Sequence, residues 1–161
     1  MRKFLVVIWI LGLSAIMSAC ASSPQALTTP DSSLKSKAPV GATLPAGFTG
    51  IPVKVGSNSY YDVSVDDLKN LLTSKDFLLV NVHTPFEGNL PATDISIPYD
   101  QIDQNIMKLP ADKKTKIVLY CRSGRMSTIA AEELVNLGYS HIMNLKGGMI
   151  AWENAGLPVE K

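Results

Sequence analysis

The sequence contains few of the residues that build disulfide frameworks and metal sites. Its 161 residues include two cysteines, Cys20 and Cys121, and two histidines, His83 and His141. The cysteines lie in different contexts, one after an apolar leader and one between a strand and a helix, which disfavours a disulfide framework. There is no Cys-x2-Cys pair, and the histidines are far apart in sequence. The sequence therefore predicts no metal site and no other cofactor.

The chain also lacks an excess of charge of either sign. It has 15 Lys and Arg against 14 Asp and Glu, a formal net charge of +1. This balance predicts no nucleic-acid partner. Hydrophobic residues make up 46% of the chain and charged residues 18%, which excludes a wholly disordered protein. The length fits one domain with tails, and no pattern indicates an oligomeric state.

The first twenty residues have the pattern of an export signal. Arg2 and Lys3 precede an apolar run over residues 4–17, which at about 14 residues is shorter than the roughly 20 that a membrane-spanning helix needs. Residues 17–20, Met-Ser-Ala-Cys, resemble a bacterial lipobox, with methionine where leucine is typical. The resemblance implies cleavage before Cys20 and lipidation of its thiol. The alternative is an uncleaved N-terminal anchor with an incidental cysteine.

Three regions follow from this pattern: a signal peptide over 1–19, a lipidated Cys20 with a flexible tether to residue 50, and a domain over 51–161. The tether is rich in Ala, Ser, Thr, Pro and Gly, a composition that buries too little apolar surface to fold by itself. An ordered arm that begins near Phe48 is the alternative. The domain is expected outside the cytoplasm, held to the membrane by the lipid. Ala21 is not the aspartate typical of inner-membrane retention, so the outer membrane is favoured in a two-membrane bacterium.

The pattern of residues 51–161 predicts an α/β fold. Apolar runs indicate strands, and helical spacing of apolar residues indicates helices between them. This alternation predicts an open parallel sheet with helices on both faces. The strands are expected over 52–55, 60–63, 77–82, 116–120 and 141–145, the helices from Ser64 and over 102–109, 127–137 and 149–154, and an irregular loop over 84–98.

The chemistry concentrates at Cys121, which follows a hydrophobic strand and precedes a helix. Ligands of open α/β sheets bind beyond the carboxyl ends of the strands, and backbone N–H groups at a helix N-terminus attract anions. Gly124 permits a curled loop, and Arg122 and Arg125 add positive charge. These features favour a thiolate, and the loop is expected to hold an anionic substrate. The alternative is a buried structural cysteine.

Two segments carry a family resemblance. Residues 121–127, Cys-Arg-Ser-Gly-Arg-Met-Ser, resemble the active-site loop of rhodanese-like sulfurtransferases, and residues 146–159 resemble the end of that family. The resemblance covers about residues 62–159 and implies the rhodanese-like fold. It also implies that Cys121 takes sulfur from a small anionic donor such as thiosulfate, as a persulfide, and passes it to a thiol or cyanide. The residues implied to bind the donor and the persulfide are Arg122, Ser123, Gly124, Arg125 and Met126.

Several roles within this loop stay open. Either Arg122 or Arg125 is expected to orient the donor. The Ser123 hydroxyl either donates a hydrogen bond or only shapes the loop. Ser127 is predicted to cap or start the helix, and Trp152 is predicted to be a core anchor.

The sequence departs from the family pattern before this loop. Residues 81–83, Asn-Val-His, stand where Asp-Val-Arg is common, and residues 88–95 replace the usual Gly-His-Ile-Pro-Gly-Ala stretch. His83 either replaces the arginine as a polar group or is structural. Glu87 and Asp94 are candidate loop anchors.

Three other functions are alternatives to sulfur transfer. Cysteine phosphatases and arsenate reductases need Cys-x5-Arg, whereas Ser127 stands six positions after Cys121. An extracytoplasmic thiol-redox protein would need a partner thiol, because the domain has no second cysteine. A non-catalytic binding module on a lipid tether is the third possibility.

Overall fold

A computed structural model of the protein describes residues 50–161. The predicted signal peptide, Cys20 and nearly all of the predicted tether lie outside these residues. Within the described range, none of the helices combines the length and the apolar character that crossing a bilayer requires.

The strands form one six-stranded sheet in the order β1-β2-β6-β5-β3-β4. The pairs β2–β6, β6–β5, β5–β3 and β3–β4 are parallel, whereas β1 and β2 are antiparallel. The α/β class is thus confirmed, and the parallel prediction is wrong only for β1, because a tight turn joins β1 to β2 as a hairpin. The strands are β1 (Ile51–Val55), β2 (Asn58–Val63), β3 (Leu78–Asn81), β4 (Ile95–Ser96), β5 (Ile117–Tyr120) and β6 (Ile142–Leu145).

Helices cover both faces of the sheet, as predicted. They are α1 (Val65–Leu72), α2 (Arg125–Asn136) and α3 (Gly148–Asn154). α2 packs in one buried cluster, and α1 and α3 pack in the other. All four residues of β5 are buried, and because successive side chains of a strand point to opposite faces, β5 serves both clusters. α1 begins directly after Ser64, as predicted, with a reciprocal capping box between Ser64 and Asp67.

The helix predicted over 102–109 is wrong. Two single 3-10 turns form instead, at Tyr99–Gln101 and Ile106–Lys108. Between them the Asp103 carboxylate accepts the Gln104 N–H over 2.7 Å. Such side-chain to backbone bonds offer the chain an alternative to the α-helix and explain the break.

The loop predicted over 84–98 contains β4, which pairs with β3. A two-residue strand is too short to give a periodic signal in sequence.

Strand order positions the functional site. From β3 the chain continues to β4 on one side, and from β5 it continues to β6 on the other. The carboxyl ends of β3 and β5 therefore flank the point where the chain direction reverses, which is where open α/β sheets bind ligands. The segments that leave these ends are residues 82–94 and 121–124.

Candidate active site

Cys121 is the first residue of the second segment and is 1% exposed. Its Sγ accepts the backbone N–H of Gly124 over 3.1 Å. The Ser127 hydroxyl lies 3.5 Å from the same sulfur. Gly124 is the N-cap of α2 and Ser127 belongs to its first turn, where backbone N–H groups have no partner within the helix. The turn is thus built to receive an electron-rich sulfur.

The turn depends on a left-handed residue at its centre. Gly124 has φ +96° and precedes α2 as its N-cap. Ser127 was predicted to cap or start the helix, and this is wrong because α2 begins two residues earlier, at Arg125. The Ser127 hydroxyl faces inward instead, 3.0 Å from the Gly124 carbonyl oxygen. With a single proton, this hydroxyl donates either to that oxygen or to the Cys121 sulfur.

α3 holds the loop from the opposite side. Its Met149 N–H donates to the Cys121 carbonyl over 2.9 Å, and its Ile150 N–H donates to the Arg122 carbonyl over 2.9 Å. N–H groups at the start of α3 thus pair with the loop carbonyls. These two bonds were not predicted from the sequence. The Gly147-Gly148 pair was their only signal.

The segment after β3 supplies an ion pair to the site. The Arg122 Nη1 contacts the Glu87 Oε2 directly, and the His83 Nε2 lies 3.3 Å from the Glu87 Oε1. His83, followed by Arg122, holds the pKa of the Glu87 carboxyl below its usual value. Glu87, predicted as a loop anchor, therefore bridges the two segments as a carboxylate.

His83 lies behind Glu87 rather than at the surface. Its side chain is 7% exposed, and among the described residues neither ring nitrogen has a well-aligned hydrogen bond. The short distance to Glu87 is therefore a close contact between the two side chains and not a directed hydrogen bond.

Asn81 shapes the same segment. Fully buried, its amide donates to the Gly88 carbonyl over 2.8 Å, and its oxygen accepts the His83 N–H over 2.9 Å. Asn89 adds two backbone bonds to Glu160, of 2.7 and 2.8 Å. Asn81, which stands where the family commonly has aspartate, thus holds this segment in place both by donating and by accepting a hydrogen bond.

The other predicted loop residues differ in placement. Ser123 and Arg125 are exposed, and neither side chain makes a hydrogen bond or ion pair to another residue of 50–161. Met126 is partly buried against the core cluster that contains α2. Their contacts with substrate stay predictions. In the described part of the chain, no group of three or more His, Cys, Asp or Glu side chains is placed to hold a metal ion.

Comparison with known proteins identifies similar chains. Residues 64–155 match the family described as "Rhodanese-like domain". A protein named "Sulfurtransferase" from Allochromatium vinosum is 37% identical over 94 residues, which cover 56% of this chain and 85% of that protein. The protein slr1261 of Synechocystis is 34% identical over 96 residues, 58% of this chain, and is matched over 52% of its own length.

Solved structures show the same fold. A rhodanese-like domain protein from Staphylococcus aureus aligns with a TM-score of 0.52 and 32% identity, covering 62% of this chain and 98% of that one. A rhodanese-related protein from Thermoplasma volcanium aligns with a TM-score of 0.53 and 28% identity, covering 61% of this chain and 95% of that one.

Proposed function

Because the chain belongs to the rhodanese-like domain family, we propose that it is a sulfurtransferase in which Cys121 carries the transferred sulfur as a persulfide. One observation carries the proposal: the Cys121 Sγ faces two hydrogen-bond donors of its own turn, Gly124 N–H at 3.1 Å and Ser127 Oγ at 3.5 Å. Donors fixed before the reaction stabilise negative charge on sulfur without reorganisation.

The proposed reaction has two balanced steps. In the first, the Cys121 thiolate attacks the outer sulfur of thiosulfate, a new S–S bond forms, the S–S bond of thiosulfate breaks, and sulfite leaves with the electron pair. In the second, an acceptor thiolate or cyanide attacks the terminal sulfur of the persulfide, and the Cys121 thiolate is the leaving group. No external oxidant or reductant is needed. The backbone N–H groups of residues 122–126 would surround the terminal sulfur.

Intact-mass measurement tests the proposal. Full-length protein in detergent is incubated with thiosulfate, and we expect a mass gain of about 32 Da that cyanide removes. Cys121→Ser should abolish the gain, whereas Cys20→Ser, the matched change at the other cysteine, should keep it. Absence of the gain, with rapid alkylation of Cys121, would contradict thiosulfate transfer and support a thiol-redox role with a partner thiol. Absence of both would support a tethered binding module.

We also propose that lipid on Cys20 anchors the domain at an extracytoplasmic membrane surface, the outer membrane in a two-membrane bacterium. The support is the lipobox-like segment at residues 17–20 after the short apolar run. Labelling with an alkyne-bearing fatty acid should mark the wild-type chain, and Cys20→Ser should remove the label. Equal labelling of both would overturn the lipoprotein assignment.

A further inference from the structure

The two arginines of the active loop are in different electrostatic situations. Arg122 is in contact with Glu87. Arg125 is exposed, and its guanidinium makes no hydrogen bond or ion pair with any residue in 50–161. An ion pair of opposite charges is nearly neutral from a distance, so Arg122 and Glu87 together attract an anion weakly. Arg125 keeps its full charge.

Two neighbouring attachments hold Glu87 at Arg122. The Gly88 carbonyl accepts the Asn81 amide over 2.8 Å, and a Cβ on Gly88 would lie 2.7 Å from the Glu160 carbonyl oxygen. The chain immediately after Glu87 is therefore packed between β3 and the C-terminal residues. Glu87 reaches Arg122 from a fixed backbone and not from a free loop.

The surroundings of Arg122 are also balanced in charge. Arg122 lines a cleft of about 230 Å³ with Glu87, Glu153 and Lys161, so each sign of charge occurs twice there. Arg125, by contrast, lies in the sequence between Gly124 and Ser127, the two residues whose donors face the Cys121 sulfur.

We propose that Arg125, and not Arg122, is the specificity-determining cation that draws an anionic sulfur donor to Cys121, and that Glu87 keeps Arg122 as a positioning residue that joins the two segments. The statement about the donor rests on the proposed sulfurtransferase function. The statement about the charge at Cys121 does not, and it can be measured separately.

The effect of this charge on an anion at Cys121 can be measured by alkylation. The rate of Cys121 modification by anionic iodoacetate, divided by the rate with neutral iodoacetamide, reports the attraction of an anion to the sulfur, and peptide mapping in the full-length protein separates Cys121 from Cys20. Arg125→Gln should lower this ratio about fivefold, and Arg125→Lys should keep it near the wild-type value. Lys54→Gln removes one charge from β1 and is the matched control, with a change below about twofold.

The decisive comparison removes the ion pair as a unit. Glu87→Gln alone frees Arg122 and should raise the ratio about threefold. Glu87→Gln combined with Arg122→Gln removes one charge of each sign and should stay within about twofold of wild type. If the ratio falls in this double variant as much as in Arg125→Gln, attraction of the anionic donor would be assigned to Arg122, and the proposal would be overturned. So would an unchanged ratio in Arg125→Gln. If a Glu87 variant fails to fold, the comparison of Arg125→Gln with Arg125→Lys still decides.

Thiosulfate kinetics extend the test to the donor. Arg125→Gln should raise KM for thiosulfate about fivefold and change kcat less than about twofold, because the charge acts on binding and not on the leaving group. If wild type forms no persulfide, the proposed sulfurtransferase function is wrong. The alkylation ratios would still test whether Arg125 or Arg122 attracts the anion. If persulfide forms and Arg125→Gln keeps the wild-type KM, the function stands and this inference fails.

Discussion

Gly148 lies so close to Cys121 that a Cβ on Gly148 would sit 2.1 Å from the Cys121 carbonyl oxygen. The same carbonyl accepts the Met149 N–H over 2.9 Å. Both relationships require α3 to begin directly against the backbone of the active loop. The loop is thus held by backbone packing at its start and by the hydrogen bond from the Gly124 N–H at its sulfur, with the Ser127 hydroxyl 3.5 Å from that sulfur.

Gly148→Ala should push α3 away from the loop. The added methyl group meets backbone atoms, which cannot rotate aside as a side chain can, and φ at Gly148 is +58°. We expect a loss of about 3 kcal/mol or more in the free energy of unfolding together with slower persulfide formation. Urea unfolding and intact-mass kinetics measure the two effects.

Gly156→Ala is the matched control for this change. Its φ is +76°, but no atom lies within 4 Å of an added Cβ. It should cost only the conformational penalty, about 1 kcal/mol. Equal costs for both alanine variants would show that contact with the loop is unimportant.

Ser127→Ala should slow persulfide formation about fivefold, since it removes one of the two donors near the sulfur. Stability should change by only about 1 kcal/mol, because the Gly124 carbonyl still accepts the Thr128 N–H. Single-turnover mass spectrometry and urea unfolding separate the two effects. Ser57→Ala, in the exposed turn between β1 and β2, should leave both unchanged. A rate loss in proportion to lost stability would argue against a direct role of the hydroxyl.

Asn81→Ala should loosen the segment that carries Glu87. It leaves the buried Gly88 carbonyl and His83 N–H without their partner, and we expect a loss of about 2–3 kcal/mol in the free energy of unfolding. Hydrogen exchange should accelerate at residues 88–90 more than in β5. Asn70→Ala, on an exposed position of α1, is the control. Uniform acceleration across the sheet would contradict a local role of Asn81.

Asp94 makes stability depend on pH. Burial works to raise the pKa of its carboxyl, but hydrogen bonds from Lys75 and the Leu79 N–H, with the Lys75 charge, outweigh burial and lower it below the ordinary value of 3.8. A lowered native pKa gives stability that is complete above the unfolded value and is lost as pH falls through the native value.

Asp94→Asn should therefore destabilise the protein at pH 7 by about 1 kcal/mol, a modest value because solvent screens a carboxylate that is 36% exposed. The difference from wild type should begin to shrink as pH falls below about 4, the ordinary value for an unfolded aspartate, and it should vanish only below the lowered native pKa, where the folded wild-type carboxylate is neutral as well. Urea unfolding at several pH values measures it. Asp66→Asn, which removes an exposed carboxylate of α1, is the control. A difference that grows in acid would reverse the assigned sign.

Local patterns in the sequence were sufficient to predict most of the strands and helices of the domain. The all-buried β5, the capping box at Ser64 and the placement of Cys121 between a strand and a helix all follow from neighbouring residues. Trp152, predicted as a core anchor, is 3% exposed, and its indole N–H donates to the Pro158 carbonyl over 2.9 Å. Such features can be predicted because a short apolar run and a helix cap each extend over only a few neighbouring residues.

What the sequence by itself determined is the α/β class, the position of Cys121 between a strand and a helix, and the family that its loop resembles. Only the tertiary structure decided that Arg122 meets Glu87, 35 residues away in the chain, and that Arg125 remains unpaired within the described residues. It also decided that α3 donates to the loop carbonyls. The physical reason is that strand order brings the ends of β3 and β5 together. Contacts between such distant segments leave no period or spacing in the sequence that records them.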